Sequence, residues 1–178
     1  MTSRTLPAAS QSGPARDTEA PDGRPLSVLV VCTGNICRSP MAEHVFRQAF
    51  DEAGLGDAVT VSSAGTGDWH VGQGAHEPAR RVLTAAGYPC EHVARQVTPQ
   101  MVDDADLVLA ADRGHLRVLR GMAADPSRVQ LLRSFDPQAD DDEVPDPYGH
   151  PDEQYRQVLA MLQDAAPGLV DEIRQRLA

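Results

Sequence analysis

The sequence predicts an α/β fold with one four-stranded parallel sheet, doubly wound, flanked by helices on both faces in three layers. Two observations support this prediction. Short apolar runs alternate with longer amphipathic stretches along the body of the chain, which is the pattern of repeated strand–helix units. The first of these runs is apolar and rich in valine, as expected for a strand that is covered on both faces. The 178 residues suit one domain with a sizeable core.

Residues 1–25 differ from the rest of the chain, because they are polar and carry Pro7, Pro14, Pro21 and Pro25. They lack the apolar stretch of a signal peptide, and their acidic residues disfavour a transit peptide. We therefore expect a disordered leader at 1–25 and a folded domain at 26–178.

The first strand, Leu26–Val31, leads through a short loop into the first helix, Pro40–Ala53. Ser39 is expected to cap this helix, because a hydroxyl N-cap followed by proline at the first helical position is a common helix start. The expected buried face of the helix carries apolar residues at helical spacing, namely Met41, Ala42, Val45, Phe46 and Ala49.

The same alternation continues through the middle of the chain. A strand at Ala58–Ser63 is followed by a glycine-rich loop through Gly74 and by a helix at Ala75–Ala86, which Gly87 ends. The remaining elements are expected in the order helix Thr98–Val102, strand Leu107–Ala111, helix Arg113–Gly121 and strand Val129–Leu132.

The C-terminal part is predicted as a long loop, 133–150, followed by helices at Asp152–Ala165 and Pro167–Leu177. Pro167 lacks an N–H group, so it is expected to kink the helix or to restart it. The expected inward-facing residues are Val158, Leu159, Leu162, Leu169, Val170 and Ile173.

The segment from Cys32 to Arg38 is the best candidate for a functional site. A loop between a buried strand and a helix start directs several backbone N–H groups and the positive end of the helix at one point, where an oxyanion fits. Arg38 adds a planar fork for two phosphate oxygens, and the same groups would stabilise a thiolate at Cys32. The alternative is a buried structural cysteine in an ordinary turn. The other residues expected to bind the anion are Thr33, Gly34, Asn35, Ile36, Cys37 and Ser39.

The run Cys32-Thr33-Gly34-Asn35-Ile36-Cys37-Arg38-Ser39-Pro40 resembles the signature of the low-molecular-weight protein tyrosine phosphatases. The resemblance spans about residues 26–177. It implies a four-stranded parallel sheet, hydrolysis of protein tyrosine phosphate, no metal or other cofactor, and phosphotyrosine-containing proteins as partners. The further motifs that carry it, in the expected order, are 63–66, 68–72, 92–96 and 144–148.

The resemblance also implies roles for single residues. Cys32 attacks phosphorus and forms a phosphocysteine, Arg38 holds the phosphoryl oxygens, and Asp146 protonates the leaving phenolate and then activates water. Asp146 lies between two prolines on what should be a stiff loop. Asp136 is the rival Asp-Pro aspartate, but it lacks the flanking proline and tyrosine and is interpreted as a turn residue.

Four polar residues are expected to support the loop. Ser39 could donate its hydroxyl to the Cys32 thiolate, besides its expected role as an N-cap. Asn35 is expected in a left-handed conformation, which asparagine tolerates. His92 resembles the family histidine that braces this asparagine, and Asp112 is either a polar support near the pocket or an N-cap of the next helix.

Two aromatic residues are expected to form the walls of the substrate pocket. Trp69 is the single tryptophan and lies in a polar, glycine-rich loop, so it is a poor candidate for the core and a good one for contact with an aromatic ring. Tyr148 should form the opposite wall. The family commonly has a second tyrosine directly after it, whereas this chain has Gly149, so no role of that second tyrosine carries over.

Three other functions remain alternatives at this point. Arsenate reductases share the scaffold but need two further cysteines, and only Cys90 lies outside the loop. Protein-arginine phosphatases tend to have threonine where this chain has Ile36, and an apolar side chain suits a phenyl ring better. A non-enzymatic anion-binding module would not require Cys32, Arg38 and Asp146 together.

The composition disfavours several further classes of partner and ligand. The net charge of −10 disfavours nucleic acid, and no apolar run is long enough to cross a membrane. The histidines and three cysteines show no metal-ligand spacing, so no metal is expected. The cysteine count excludes a secreted disulfide framework, so we expect a cytoplasmic protein, or one exported without a signal peptide.

Cys37 is expected to trap an oxidised Cys32 as a disulfide, which would make the enzyme redox-sensitive. The oligomeric state does not follow from the sequence.

Overall fold

A computed structural model describes residues 23–178 of the chain. The predicted leader therefore lies outside the described residues, except for its last three positions. The strands are β1 (Leu26–Cys32), β2 (Val59–Gly65), β3 (Leu107–Ala110) and β4 (Val129–Leu131). The α-helices are α1 (Arg38–Glu52), α2 (Glu77–Ala85), α3 (Pro99–Asp104), α4 (Arg113–Met122) and α5 (Asp152–Leu177).

The four strands form one parallel sheet in the order β2-β1-β3-β4, and this confirms the predicted fold class. Two apolar cores cover its two faces. One core joins the sheet to α1, α2 and α5, and the other joins it to α3 and α4. Alternate residues of β1 divide between the cores, with Val28 and Val30 on one side and Leu29 and Val31 on the other. Both faces of β1 are buried, which explains why its sequence is apolar throughout.

Two sequence predictions about helices are wrong. The first helix begins at Arg38 rather than Pro40, with Cys37 at the N-cap position, and Ser39 makes no capping hydrogen bond. The last helix is not restarted at Pro167, because α5 runs without interruption from Asp152 to Leu177. Apolar residues are buried on both sides of the proline, and this packing outweighs the loss of one backbone hydrogen bond.

The predicted long loop after β4 begins with a short 3₁₀ turn, Leu132–Phe135, and then crosses the sheet edge near the carboxyl ends of the strands. The backbone N–H of Val144 donates to the carbonyl oxygen of Ala111 at 2.8 Å, just beyond the end of β3. This bond brings the segment that carries Asp146 beside the loop that follows β1. In the described part of the chain, no helix is both long enough and apolar enough to cross a membrane.

Candidate active site

The loop between β1 and α1 encloses a cavity of about 130 Å³ at the carboxyl edge of the sheet. Cys32, the last residue of β1, is only 3% exposed and lies at the base of the loop. Because α1 begins at Arg38, the N-terminal turn of the helix faces this cavity. The residues that line it are Cys32, Thr33, Gly34, Ile36, Cys37, Arg38, Trp69, His70, Asp146 and Tyr148.

Ser39 contacts the Cys32 thiol directly. Its hydroxyl oxygen lies 3.0 Å from Cys32 Sγ and accepts a hydrogen bond of 2.8 Å from Asn35 Nδ2. Asn35 Nδ2 also donates to Ser63 Oγ at 3.0 Å. The Ser39 side chain is therefore turned back into the loop, which explains why it does not cap α1. The Ser39 hydroxyl also donates to the carbonyl oxygen of Ala64, which lies 3.3 Å away.

Asn35 adopts the left-handed conformation expected for it, with φ of 55°. His92 Nε2 lies 2.6 Å from the carbonyl oxygen of Asn35, and since a carbonyl only accepts, Nε2 carries the proton. The backbone N–H of Arg95 donates to Asn35 Oδ1 at 2.9 Å. Burial lowers the pKa of His92, so the ring is neutral at pH 7. The expected contact between His92 and Asn35 is thus present.

Arg38 is only 4% exposed and is held by several acceptors. Its Nη1 donates to Asp112 Oδ2 and to the carbonyl oxygen of Val144, both at 3.0 Å, and its Nη2 donates to Thr33 Oγ1 at 3.3 Å. Asp146 Oδ2 lies 3.6 Å from Nη2. These contacts fix the plane of the guanidinium at the edge of the cavity.

Asp112 fills both of the roles that the sequence left open. Its Oδ2 accepts from Arg38, and its Oδ1 accepts the backbone N–H of His115 at 3.0 Å as the N-cap of α4. Burial raises the pKa of Asp112, but the hydrogen bond from His115 and the charge of Arg38 lower it by more, so the group is an anion at neutral pH.

The two Asp-Pro aspartates occupy different places. Asp146 lines the cavity, its side chain is 52% exposed, and its Oδ1 accepts the backbone N–H of Tyr148 at 3.1 Å. Asp136 accepts the backbone N–H of Gln138 at 2.9 Å in a turn and does not line the cavity. The interpretation of Asp136 as a turn residue agrees with this placement.

The mouth of the cavity is aromatic. Trp69 is 69% exposed, and its ring lies over Gly67, where any side chain would collide with it. Tyr148 is 53% exposed and packs against His76, with ring centroids 5.0 Å apart. Both aromatic residues line the cavity. Within residues 23–178, no group of three or more histidine, cysteine, aspartate or glutamate side chains could hold a metal ion.

Several residues of the site were missed by the sequence analysis. His115 Nε2 lies 2.8 Å from Thr33 Oγ1, and His70 lines the cavity. Tyr155 is fully buried, and its hydroxyl lies 2.9 Å from His76 Nδ1 and 3.6 Å from Cys37 Sγ. Spacing along the chain could not have found these contacts, because they join segments far apart in the sequence. The position of His115 just after β3 was the one available signal.

A doubly wound parallel sheet whose first strand ends in a Cys-x5-Arg loop defines an α/β protein with a candidate oxyanion site at the carboxyl edge of its sheet. The family model described as "Low molecular weight phosphotyrosine protein phosphatase" matches residues 27–178. The chain belongs to this family and is a phosphoric-ester hydrolase of the protein tyrosine phosphatase type. The resemblance on which the sequence analysis relied is confirmed.

Named relatives support this assignment. The chain is 51% identical over 156 residues to low molecular weight protein-tyrosine phosphatase A of Mycobacterium tuberculosis, covering 86% of this chain and 95% of the relative. It is 46% identical over 155 residues to a low molecular weight protein-tyrosine-phosphatase of Streptomyces coelicolor, covering 84% and 94%.

Solved structures agree with the fold. A protein tyrosine phosphatase from Entamoeba histolytica superposes with a TM-score of 0.82 at 29% identity, covering 84% of this chain and 97% of that one. YfkJ from Bacillus subtilis superposes with a TM-score of 0.79 at 36% identity, covering 86% and 97%.

Proposed function

We propose that the domain at residues 26–178 hydrolyses phosphotyrosine in proteins through a phosphocysteine intermediate. The observation that carries this proposal is that Cys32, Arg38 and Asp146 line one small cavity with an aromatic mouth. The thiol lies at the base, the guanidinium beside it and the carboxyl at the exposed lip, which is the order in which an aryl phosphate would meet them.

In the first step, Cys32 Sγ attacks phosphorus, an S–P bond forms and the bond from phosphorus to the phenolic oxygen breaks. Asp146 gives its proton to the departing phenolate, so tyrosine leaves as a neutral phenol. In the second step, Asp146 takes a proton from water while that water attacks phosphorus. The S–P bond breaks, and inorganic phosphate and the Cys32 thiolate are released.

Groups of the loop stabilise the negative charges of the phosphoryl oxygens and of the Cys32 thiolate. Arg38 and the N–H groups at the start of α1 bind the phosphoryl oxygens, whose negative charge they face in every state of the reaction. The Ser39 hydroxyl, 3.0 Å from Cys32 Sγ, donates to the thiolate and makes it a better leaving group in the second step. His92 and Asn35 hold the loop in the shape that directs its N–H groups inward.

The depth of the site selects the substrate. A phosphotyrosine ring reaches between Trp69 and Tyr148 to the buried thiol, whereas phosphoserine is too short to place its phosphorus near Cys32. The apolar Ile36, which lines the cavity, favours a phenyl ring over the guanidinium of phosphoarginine. Cys90 lines a separate groove between α2 and α5, so it is badly placed for the thiol relay of an arsenate reductase.

The partners proposed here are phosphotyrosine-containing proteins. The described cysteines Cys32, Cys37 and Cys90 are free thiols, which fits work in a reducing compartment such as the cytoplasm.

The test is turnover of phosphotyrosine, phosphoserine and phosphoarginine peptides of one sequence by wild type and by Trp69→Ala. Wild type should prefer phosphotyrosine strongly, and Trp69→Ala should lose much of that preference. Equal rates on phosphotyrosine and phosphoserine, or faster turnover of phosphoarginine, would overturn the proposal. Cys32→Ser should abolish turnover but still bind inorganic phosphate.

A further inference from the structure

Four side chains form a closed ring of contacts on the protein side of the Arg38 guanidinium. Arg38 donates to Asp112 Oδ2 at 3.0 Å and to Thr33 Oγ1 at 3.3 Å. His115 closes the ring, because its Nε2 lies 2.8 Å from Thr33 Oγ1 and its Nδ1 lies 3.0 Å from Asp112 Oδ1. His115 is only 5% exposed, so bulk water has little access to its contacts.

The chemistry of the four groups determines where each proton of the ring lies. Arginine only donates, so the Arg38 proton points at Thr33 Oγ1. An ionised carboxylate only accepts, so the His115 nitrogen that faces Asp112 carries the imidazole proton. In the other neutral tautomer, a lone pair of that nitrogen would face the carboxylate. Nδ1 lies close to Asp112 Oδ1 without forming a hydrogen bond, and it has no hydrogen-bond partner among residues 23–178. Nε2 is left with its lone pair and accepts the hydroxyl proton of Thr33.

The surroundings keep the imidazole neutral. Burial lowers the pKa of His115, and the nearby charge of Arg38 lowers it further, while Asp112, Asp146 and Glu143 raise it by less. At pH 7 the ring is therefore uncharged, with one nitrogen free to accept.

We propose that His115 is a positioning residue for phosphate binding, which acts by turning the lone pairs of Thr33 Oγ1 toward Arg38. This inference rests on the proposed role of Arg38 as the phosphate ligand. With Thr33, Asp112 and the carbonyl oxygen of Val144 as acceptors, three of the five N–H groups of Arg38 are directed to the protein. Two remain for two phosphate oxygens, as bidentate recognition requires. Without His115, the Thr33 hydroxyl can rotate and direct its proton at the guanidinium.

The kinetic test uses His115→Leu, His115→Gln, Thr33→Val and the double variant Thr33→Val/His115→Leu. The readouts are kcat/KM on a small aryl phosphate and the inhibition constant of inorganic phosphate, both at pH 7. His115→Leu should weaken phosphate binding about tenfold, the size expected for one hydrogen-bonded partner. His115→Gln should recover most of that loss, because its amide oxygen can accept from Thr33 without titrating.

The double variant separates positioning from general destabilisation. If His115 acts through Thr33, the double variant should bind phosphate within about threefold of Thr33→Val alone. Losses that multiply in the double variant, or a His115→Gln variant as impaired as His115→Leu, would overturn the proposal. The matched control is His44→Leu, which removes another buried histidine with one hydrogen bond, to the carbonyl oxygen of Glu91. It should lower stability without changing the inhibition constant of phosphate.

A spectroscopic test needs no variant and applies even if His115→Leu fails to fold. Long-range ¹H–¹⁵N correlation of the imidazole should show the neutral tautomer protonated at Nδ1 at pH 7. An imidazolium, or a ring protonated at Nε2, would contradict the proposal. Arg38→Lys tests the proposed function separately: if it left phosphate inhibition unchanged, the role of Arg38 would fall, whatever the state of His115.

Discussion

Two aspartates with the same local sequence have different surroundings, and this difference decides their chemistry. Asp136 and Asp146 each precede a proline, and each accepts a backbone N–H two residues later. Asp146 alone of the two lies within 3.6 Å of Arg38 and lines the cavity. Local chemistry therefore explains their shared turn geometry, whereas tertiary contacts explain why Asp146 is the one that we propose as the acid.

Asp146→Asn should lower kcat on phosphotyrosine by about 10²–10⁴-fold, because the leaving phenolate then receives no proton. The loss should be smaller for aryl phosphates whose phenols are more acidic, since these leave without help. The measurement is kcat across a series of leaving groups. Asp136→Asn is the control and should match wild type; a larger loss in Asp136→Asn than in Asp146→Asn would contradict the assignment.

Cys37 should protect the active thiol against oxidation. Peroxide converts the Cys32 thiolate to a sulfenic acid, and the Cys37 thiol then displaces water to form a disulfide. Burial raises the pKa of Cys37 to about 12, with a smaller opposing effect from the Tyr155 hydroxyl, so Cys37 is a thiol at neutral pH and does not compete for peroxide. After peroxide treatment, wild type should regain activity with added thiol, and Cys37→Ser should not. Equal recovery, or a Cys32–Cys90 disulfide found by mass spectrometry, would remove Cys37 from this role.

At the scale of elements, the strands and helices were predictable, because each has an apolar pattern of the right period. The start of α1 was not. The motif Ser39-Pro40 is a typical helix start, but Asn35, Cys32 and Ala64 compete for the Ser39 hydroxyl. These tertiary bonds override the local capping preference. This contradiction between local signal and structure falls at the candidate site, whereas the one at Pro167 lies within α5.

Gly65, the last residue of β2, packs closely against the backbone of the loop that follows β1. Gly65 pairs with Cys32 across the sheet, and a Cβ atom there would lie 2.6 Å from the carbonyl oxygen of Thr33 and 2.9 Å from the backbone nitrogen of Asn35. Both are backbone atoms of the loop, so they cannot move without changing the cradle.

Gly65→Ala should therefore lower kcat/KM at least tenfold and cost about 1–3 kcal/mol of stability through overpacking. Activity assays and urea denaturation measure the two effects. Gly121→Ala is the matched control, because Gly121 lies exposed in α4 with open space around it. It should stabilise the protein by about 0.5–1 kcal/mol and leave activity unchanged. Full activity in Gly65→Ala would show that the loop tolerates displacement.

At the scale of the whole molecule, the parallel topology assembles the site from distant segments. Three segments meet there, at the carboxyl ends of the strands: the loop after β1, the N-terminus of α4 after β3, and the segment around Asp146. The sequence predicted the first from its motif and the last from a family resemblance. The ring of Arg38, Asp112, His115 and Thr33 could not be predicted, because its closure depends on the register of β1 against β3 and on side-chain orientation across 82 positions of sequence.

At the amino ends of the strands, an ion pair joins the residues just before β1 and β3, and it makes the free energy of unfolding depend on pH. Arg24 donates two hydrogen bonds to Asp106, at 2.7 and 2.8 Å, and the backbone N–H of Ser27 donates a third at 2.8 Å. These bonds hold the residues just before β1 against the residue just before β3. Burial raises the pKa of Asp106, but the hydrogen bonds from Arg24 and Ser27 lower it by more, to about 2.

Because the folded pKa lies below the ordinary value of 3.8, the Asp106 carboxylate stabilises the fold above about pH 4, and this contribution is lost as the pH falls through about 2. Arg24→Ala should lower the free energy of unfolding by about 1 kcal/mol at pH 7, a value reduced by solvent screening of this partly exposed pair. The difference from wild type should shrink toward zero at pH 2, as measured by urea denaturation. Arg174→Ala, which removes an exposed pair within α5, should show no measurable change at either pH. An Arg24→Ala deficit that is the same at pH 7 and pH 2 would mean that Arg24 acts through packing rather than through the charge of Asp106.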